Sequence, residues 1–359
     1  MRKKSLYRIS LLTAVLVLAG VVLTFLLNPS NISQSSLQGN TATIQLKRSY
    51  YVSLCWYGLR QIGFTGEGAN PEYEVWTQQL TDVGSTFGFK APVAEGPLFQ
   101  FLYQIPGYLD PKDPSELRDI FEVSKRFLKT GSLSEFQTMW PNKTRHWEKW
   151  FHGVATESMR KSFADDMDVA SQALDIWADY MEYLWPQYRQ MYSEKLESYP
   201  FEEYERRCRQ LDCFEKWEEE FGFGYPYTEF VLVICPESPT RASSLGPEQV
   251  VFGSIHTWNT LRNSVIHEIG VRCPGLHRLA EHPATKSIMQ DDYVGLLTLI
   301  ETEVCYRKPR ILPDLKGDEF LTGMGLEALV EWRAEQEMGQ NFEVSFSTLY
   351  SRAKKKGLL

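Results

Sequence analysis

The chain has 359 residues, 43% of them hydrophobic and 23% charged, with 38 Lys and Arg set against 46 Asp and Glu. This length and composition suit one large globular domain or two smaller ones. A net charge of -8 argues against a basic nucleic-acid-binding surface, so no nucleic-acid partner is expected.

At the N-terminus, Arg2, Lys3, Lys4 and Arg8 precede a charge-free, mostly apolar run from Ile9 to Leu27. At ~1.5 Å per residue such a run is about long enough to cross a ~30 Å hydrocarbon core. No Lys or Arg follows until Lys47. The expectation is a single-pass membrane protein held by residues 1–27, with the N-terminus cytoplasmic and the remainder extracytoplasmic. A cleaved signal peptide is the competing reading, but Phe25-Leu26-Leu27-Asn28-Pro29 lacks a small-x-small cleavage site. Residues 28–49 are rich in Ser, Asn, Gln and Thr and read as a polar tether. The 6 cysteines of an exported chain could form disulfides, and Cys208 and Cys213 lie close enough in sequence to close a small local loop.

Residues 50–225 read as a helical lobe. One helix starts at Pro111-Lys112-Asp113-Pro114-Ser115, with Ile120, Phe121, Val123, Phe127 and Leu128 as its buried stripe. A longer one spans Phe163 to Tyr192, carries Met167, Ala170, Leu174, Trp177, Met181 and Leu184 inward, and is interrupted near Pro186. A charge-rich helix covers Tyr204 to Phe221. The aromatic residues read as core and interface filling.

Residues 226–359 change in texture. Glu229 to Cys235 is a β-type run stopped by Pro236, and Gln249 to Ser254 is a second short strand. Asn259 or Thr260 caps the next helix, which ends near Cys273 because Pro274-Gly275 cannot continue it. Ser287 to Arg307 is a further helix with Val294, Leu297, Glu301, Val304 and Cys305 on its inward stripe and Glu303 toward solvent. Leu326 to Met338 is a last helix. The fold class expected is α+β, mainly α.

The helix after the second strand contains Val265-Ile266-His267-Glu268-Ile269-Gly270-Val271-Arg272. A His-Glu pair on an apolar helix is what zinc hydrolases use: the imidazole binds the metal and the carboxylate takes a proton from the metal-bound water. The order of strand, short strand, His-Glu helix and later helix with an inward glutamate resembles the zincin metallopeptidases. Within them, His-Glu-Ile-Gly is similar to the carboxypeptidase-like group whose second histidine lies five residues after the first. Glu327-Ala328-Leu329-Val330 loosely resembles the Glu-Gly-x-Ala element that supplies a third ligand. The resemblance implies an anchored, extracytoplasmic metallohydrolase acting on a peptide or protein, with zinc as cofactor.

Carried over by position, the resemblance makes His267 the first metal ligand and Glu268 the general base. The second histidine is replaced by Val271 at the four-residue spacing or Arg272 at the five-residue spacing. His277, ten residues after His267, offers a substitute ligand, with His282 as a weaker one. Glu301 and Glu327 compete as the third ligand. A guanidinium has no lone pair to give a metal, which leaves an alternative: a catalytically inactive scaffold or binding module in which Arg272 replaces the metal and pairs with a glutamate. A helical domain in which His-Glu is accidental is a third reading. No Gly-rich phosphate loop and no Gly-x-Ser-x-Gly elbow is present.

Overall fold

A computed structural model describes residues 42–359 except 67, 91–92, 95, 146, 148–161, 198, 239–241, 254–256, 275–278, 280–281, 314–324 and 340. The fold is built on a sheet of four strands: β1 (Thr43–Arg48), β4 (Glu229–Ile234), β5 (Ser243–Ser244) and β6 (Gln249–Phe252), in the order β1-β4-β6-β5. β1 runs parallel to β4, pairing Thr43 with Glu229 and Arg48 with Ile234; β6 runs parallel to β4 on its other side, and β5 closes the edge antiparallel to β6. A two-stranded ribbon, β2 (Phe89–Lys90) with β3 (Val93–Ala94), stands apart from this sheet.

Side chains alternate across a strand, so a sheet covered on both faces needs apolar residues at consecutive positions. β4 meets that demand with Phe230-Val231-Leu232-Val233-Ile234, all buried. Val231 and Val233 join one apolar cluster, together with Val251 of β6. Phe230, Leu232 and Ile234 join the opposite one, together with Ile44 and Leu46 of β1.

The first cluster is covered by helices that precede β4. They are α1 (Tyr50–Gln61), α2 (Glu74–Gly84), a run of helical turns over Pro97–Leu109 called α3, α4 (Pro114–Thr130), α5 (Ser134–Met139) and the long α6 (Met167–Glu197). α4 starts on an Asp113 side chain that accepts from Glu116 N, and it buries the expected stripe Ile120, Phe121, Val123, Phe127 and Leu128, with Leu117 in addition. α6 buries Ala170, Leu174, Trp177, Met181 and Leu184 as expected, yet it runs on past Pro186 to Glu197. A proline removes one ladder bond, and burial of Tyr188 and Leu196 beyond it keeps the helix going.

The second cluster is covered by α7 (Phe201–Cys208), α8 (Phe214–Phe221), α9 (Trp258–Arg272), α10 (Pro283–Asp291), α11 (Tyr293–Ile311), α12 (Glu327–Ala334) and α13 (Phe342–Lys355). The helix expected over Tyr204–Phe221 is two helices. Tyr204 and Cys208 share a face at four-residue spacing, but the next core residues are Cys213, Phe214, Trp217 and Phe221. The five-residue step to Cys213 does not fit 3.6 residues per turn, and the turn between α7 and α8 restores the register. The helix expected over Ser287–Arg307 is also broken, at Asp292. That side chain caps α11 by accepting from Gly295 N at 3.0 Å, and it accepts from Tyr350 OH at 2.6 Å.

Three further expectations are corrected. Residues 43–48 are a sheet strand rather than the end of a tether, because Ile44 and Leu46 alternate into the second cluster. Val294 is exposed rather than part of the inward stripe of α11. The single-pass localisation, with a cytoplasmic N-terminus and an extracytoplasmic domain, is overturned: among the described residues no helix is long and apolar enough to cross a membrane. The Ile9–Leu27 run on which that reading stood lies outside the described residues.

The sheet's double burial has a direct consequence. Leu232 is fully buried at the centre of the sheet. Leu232→Ala is expected to lower the unfolding free energy by about 2–5 kcal/mol, read as a fall in the urea midpoint at unchanged slope.

Candidate functional site

The site begins with α9, whose start is set by Thr257. Its hydroxyl accepts from Thr260 N at 3.2 Å, which puts the cap two positions before Asn259 and three before Thr260, the caps expected from the sequence. From there Leu261, Val265, Ile266 and Ile269 are buried together with His267 and Gly270. Gly270 has a packing role: a Cβ there would lie 2.4 Å from the Trp217 ring. Trp217 also donates its indole N–H to Ile266 O at 2.9 Å. The glycine of His-Glu-Ile-Gly thus lets an aromatic ring of α8 lie against the helix backbone.

His267 and Glu268 are neighbours in sequence but serve different partners. His267 is 1% exposed, and its Nε2 lies 2.6 Å from Glu301 Oε2 of α11. Cys305, one turn beyond Glu301, is also hydrogen-bonded to the imidazole. Glu268 faces Arg272, with Oε2 2.8 Å from Nη1. Arg272 also donates to Glu268 O at 3.0 Å, Pro247 O at 3.2 Å and Ser244 Oγ at 3.2 Å, and its guanidinium sits 5.6 Å over the Phe230 ring. Arg272 is therefore tied to the sheet edge at β5 and the turn before β6. It does not pair with Glu301.

Burial alone would push the His267 imidazole down. The Glu301 carboxylate and the bond to Cys305 outweigh that and hold it up at about 10. The imidazole is thus cationic at neutral pH, and the couple is an ion pair inside an apolar cluster. A second buried charge system lies farther along α11. Glu303 is fully buried, accepting from Arg307 Nε at 3.0 Å and from Arg333 of α12, whose Nη2 stands 3.3 Å away. The sequence places Glu303 toward solvent; the Arg307 one turn later and the distant Arg333 reverse that.

The other expected ligands are not brought to His267. Glu327 is exposed in the first turn of α12, and Ala328 beside it is exposed too. The Glu-Gly-x-Ala resemblance therefore does not deliver a side chain to the site. His282 is the N-cap of α10, where Nδ1 accepts from Ala284 N at 3.2 Å. His277 lies outside the described residues. Among the described residues no group of three or more His, Cys, Asp and Glu side chains is arranged to hold a metal ion. His267 and Glu301 would be two donors of a zinc site, and Cys305 lies beside the same imidazole, but among the described residues these side chains are not arranged around a common point that could hold a metal ion. The set at hand does not fit the zinc that the resemblance implies.

All 6 cysteines are buried free thiols. Two grooves open elsewhere on the surface. One of about 570 Å³ lies between β1 and the α7–α8 turn, and one of about 710 Å³ lies between Arg48 and the ends of α6 and α7. Neither is lined by His267, Glu268 or Glu301. No protein family, no curated protein and no solved structure matches the chain.

The raised imidazole makes stability depend on pH with a known sign. A histidine free in the unfolded chain titrates near 6.5 and here near 10, so its contribution is complete below the first value and lost on approach to the second. Urea unfolding between pH 7 and 9 is expected to show stability falling with pH by up to about 1.4 kcal/mol per unit. Glu301→Gln removes the charge that raises the imidazole and is expected to flatten that slope. An equal slope in wild type and variant would remove the ion pair from the account.

Proposed function

We propose that this chain is a non-catalytic scaffold or binding module whose His-Glu helix has its chemistry locked inside the fold. The observation that carries this reading is the 2.6 Å contact between His267 Nε2 and Glu301 Oε2. It occupies, with a carboxylate, the imidazole nitrogen a metal would use. Glu268, the candidate general base, is held by Arg272 at 2.8 Å. A guanidinium stays protonated at any ordinary pH and donates without accepting, so this carboxylate is engaged as an acceptor. Arg272 thus blocks Glu268 rather than filling a ligand position beside His267, and the two polar residues of the motif point to separate networks.

One observation favours a second reading, a zincin-like metallohydrolase acting on peptides. His267 and Glu301 stand side by side in a buried position, as two ligands of one metal would. In that reading Glu268 would have to leave Arg272 before it could serve as a base.

Elemental analysis separates the two. The purified full chain is incubated with zinc, passed through a desalting column and assayed for bound metal, with His267→Ala and Glu301→Ala alongside. The expected result is far less than one zinc per chain in the wild type and no change in either variant. One zinc per chain, lost in both variants, would replace the scaffold reading with the hydrolase reading.

A further inference from the structure

Two pairs of buried thiols differ in their surroundings. Cys55 and Cys235 lie inside the first apolar cluster, and neither lines the two grooves described above. Cys208 and Cys213 differ. Cys208 is the last residue of α7, and Cys213 immediately precedes α8. The turn between them is closed by Leu211 N donating to Cys208 O at 3.0 Å and Gln210 N donating to Arg207 O at 3.1 Å. Both cysteines line the 570 Å³ groove beside β1, with Ile44, Leu211 and Phe214 as apolar wall. Both side chains are almost fully buried, and the groove that the two residues line is the surface nearest to them from which a small molecule would approach.

We propose that Cys208 and Cys213 form a modifiable dithiol that closes to a disulfide by exchange with a small disulfide such as oxidised glutathione. One cysteine thiolate attacks a glutathione sulfur, the glutathione S–S bond breaks, and one glutathione leaves and takes up a proton. The second cysteine thiolate then attacks the mixed disulfide and expels the other glutathione. Two protein S–H bonds are replaced by one S–S bond, and one glutathione disulfide becomes two thiols. The bridge ties the end of α7 to the start of α8, whose Trp217 rests on Gly270 of α9.

Two features set the rate and the competition. Burial pushes both thiols up to about 12, with Glu205 adding to Cys208, and Cys208 and Asp212 adding to Cys213. Lys216 on α8 opposes this at Cys213, and Arg209 and Glu215 line the same groove. The attacking thiolate is therefore scarce at neutral pH, and exchange accelerates about tenfold per pH unit. Cys273 at the end of α9 is the competitor, because its thiol is raised first by burial and then by Cys213. It does not line the groove.

The test incubates the full chain with oxidised glutathione at pH 8 and pH 9, alkylates the remaining thiols, and maps unreduced tryptic peptides by mass spectrometry. The expected product joins the dipeptide Cys208-Arg209 to the peptide from Gln210 to Lys216, forming about ten times faster at pH 9. In Cys208→Ala the reaction is expected to stop at glutathione on Cys213. Linkage of the Gln210–Lys216 peptide to the Cys273 peptide, glutathione adducts without a bridge in the wild type, or no loss of thiol would each overturn the proposal.

Discussion

A charge moved from water into an apolar interior must meet an opposite charge or lose its ionisation. The C-terminal half of this chain is organised around that constraint. α9 and α11 pack face to face within one apolar cluster, yet they carry His267, Glu301 and Glu303 on buried positions. Each finds a partner: His267 with Glu301, and Glu303 with Arg307 and Arg333. Glu268, at the margin of the same helix, finds Arg272. The pairings fix how α9, α11 and α12 rotate about their axes, because a modest turn of any of them would bury an unpaired charge.

The same pairings weaken the metal reading. A zinc-hydrolase helix uses adjacent histidine and glutamate toward one centre. Here the adjacent residues diverge, one toward α11 and one toward the sheet edge near Ser244 and Pro247. The sheet reinforces the split. β5 and the turn before β6 supply the oxygens that hold Arg272, so the guanidinium is anchored to backbone and hydroxyl groups rather than to the His267 couple.

Much of this was legible in the sequence and some was not. The uninterrupted apolar run of β4 and the helical stripe of α4 announced themselves because both reflect a local period. β1 was hidden, since only Ile44 and Leu46 mark it within a polar stretch, and its strand character comes from pairing with β4 far along the chain. The break at Asp292 is hidden because no Pro or Gly interrupts the run there, whereas the break between Cys208 and Cys213 has a readable signal, a five-residue step between apolar positions that 3.6 residues per turn does not accommodate. In the site, the inward position of Glu301 followed from its apolar helix face. Its partner did not, since a contact over 34 residues is a tertiary fact. The Glu268–Arg272 pair had a readable signal, the four-residue spacing of opposite charges on one helix. That signal was outweighed by reading Arg272 as standing in a lost histidine's place.

The most direct test of the account is a double-mutant cycle on His267 and Glu301, using His267→Phe, Glu301→Leu and the pair together, with unfolding free energies measured at pH 7. If the two form a buried ion pair, each single change strands a charge and the double change relieves it. The account requires a coupling energy of about 1–3 kcal/mol. Single effects that add to the double within about 0.5 kcal/mol would contradict it and leave the interior of this half of the fold without its organising interaction.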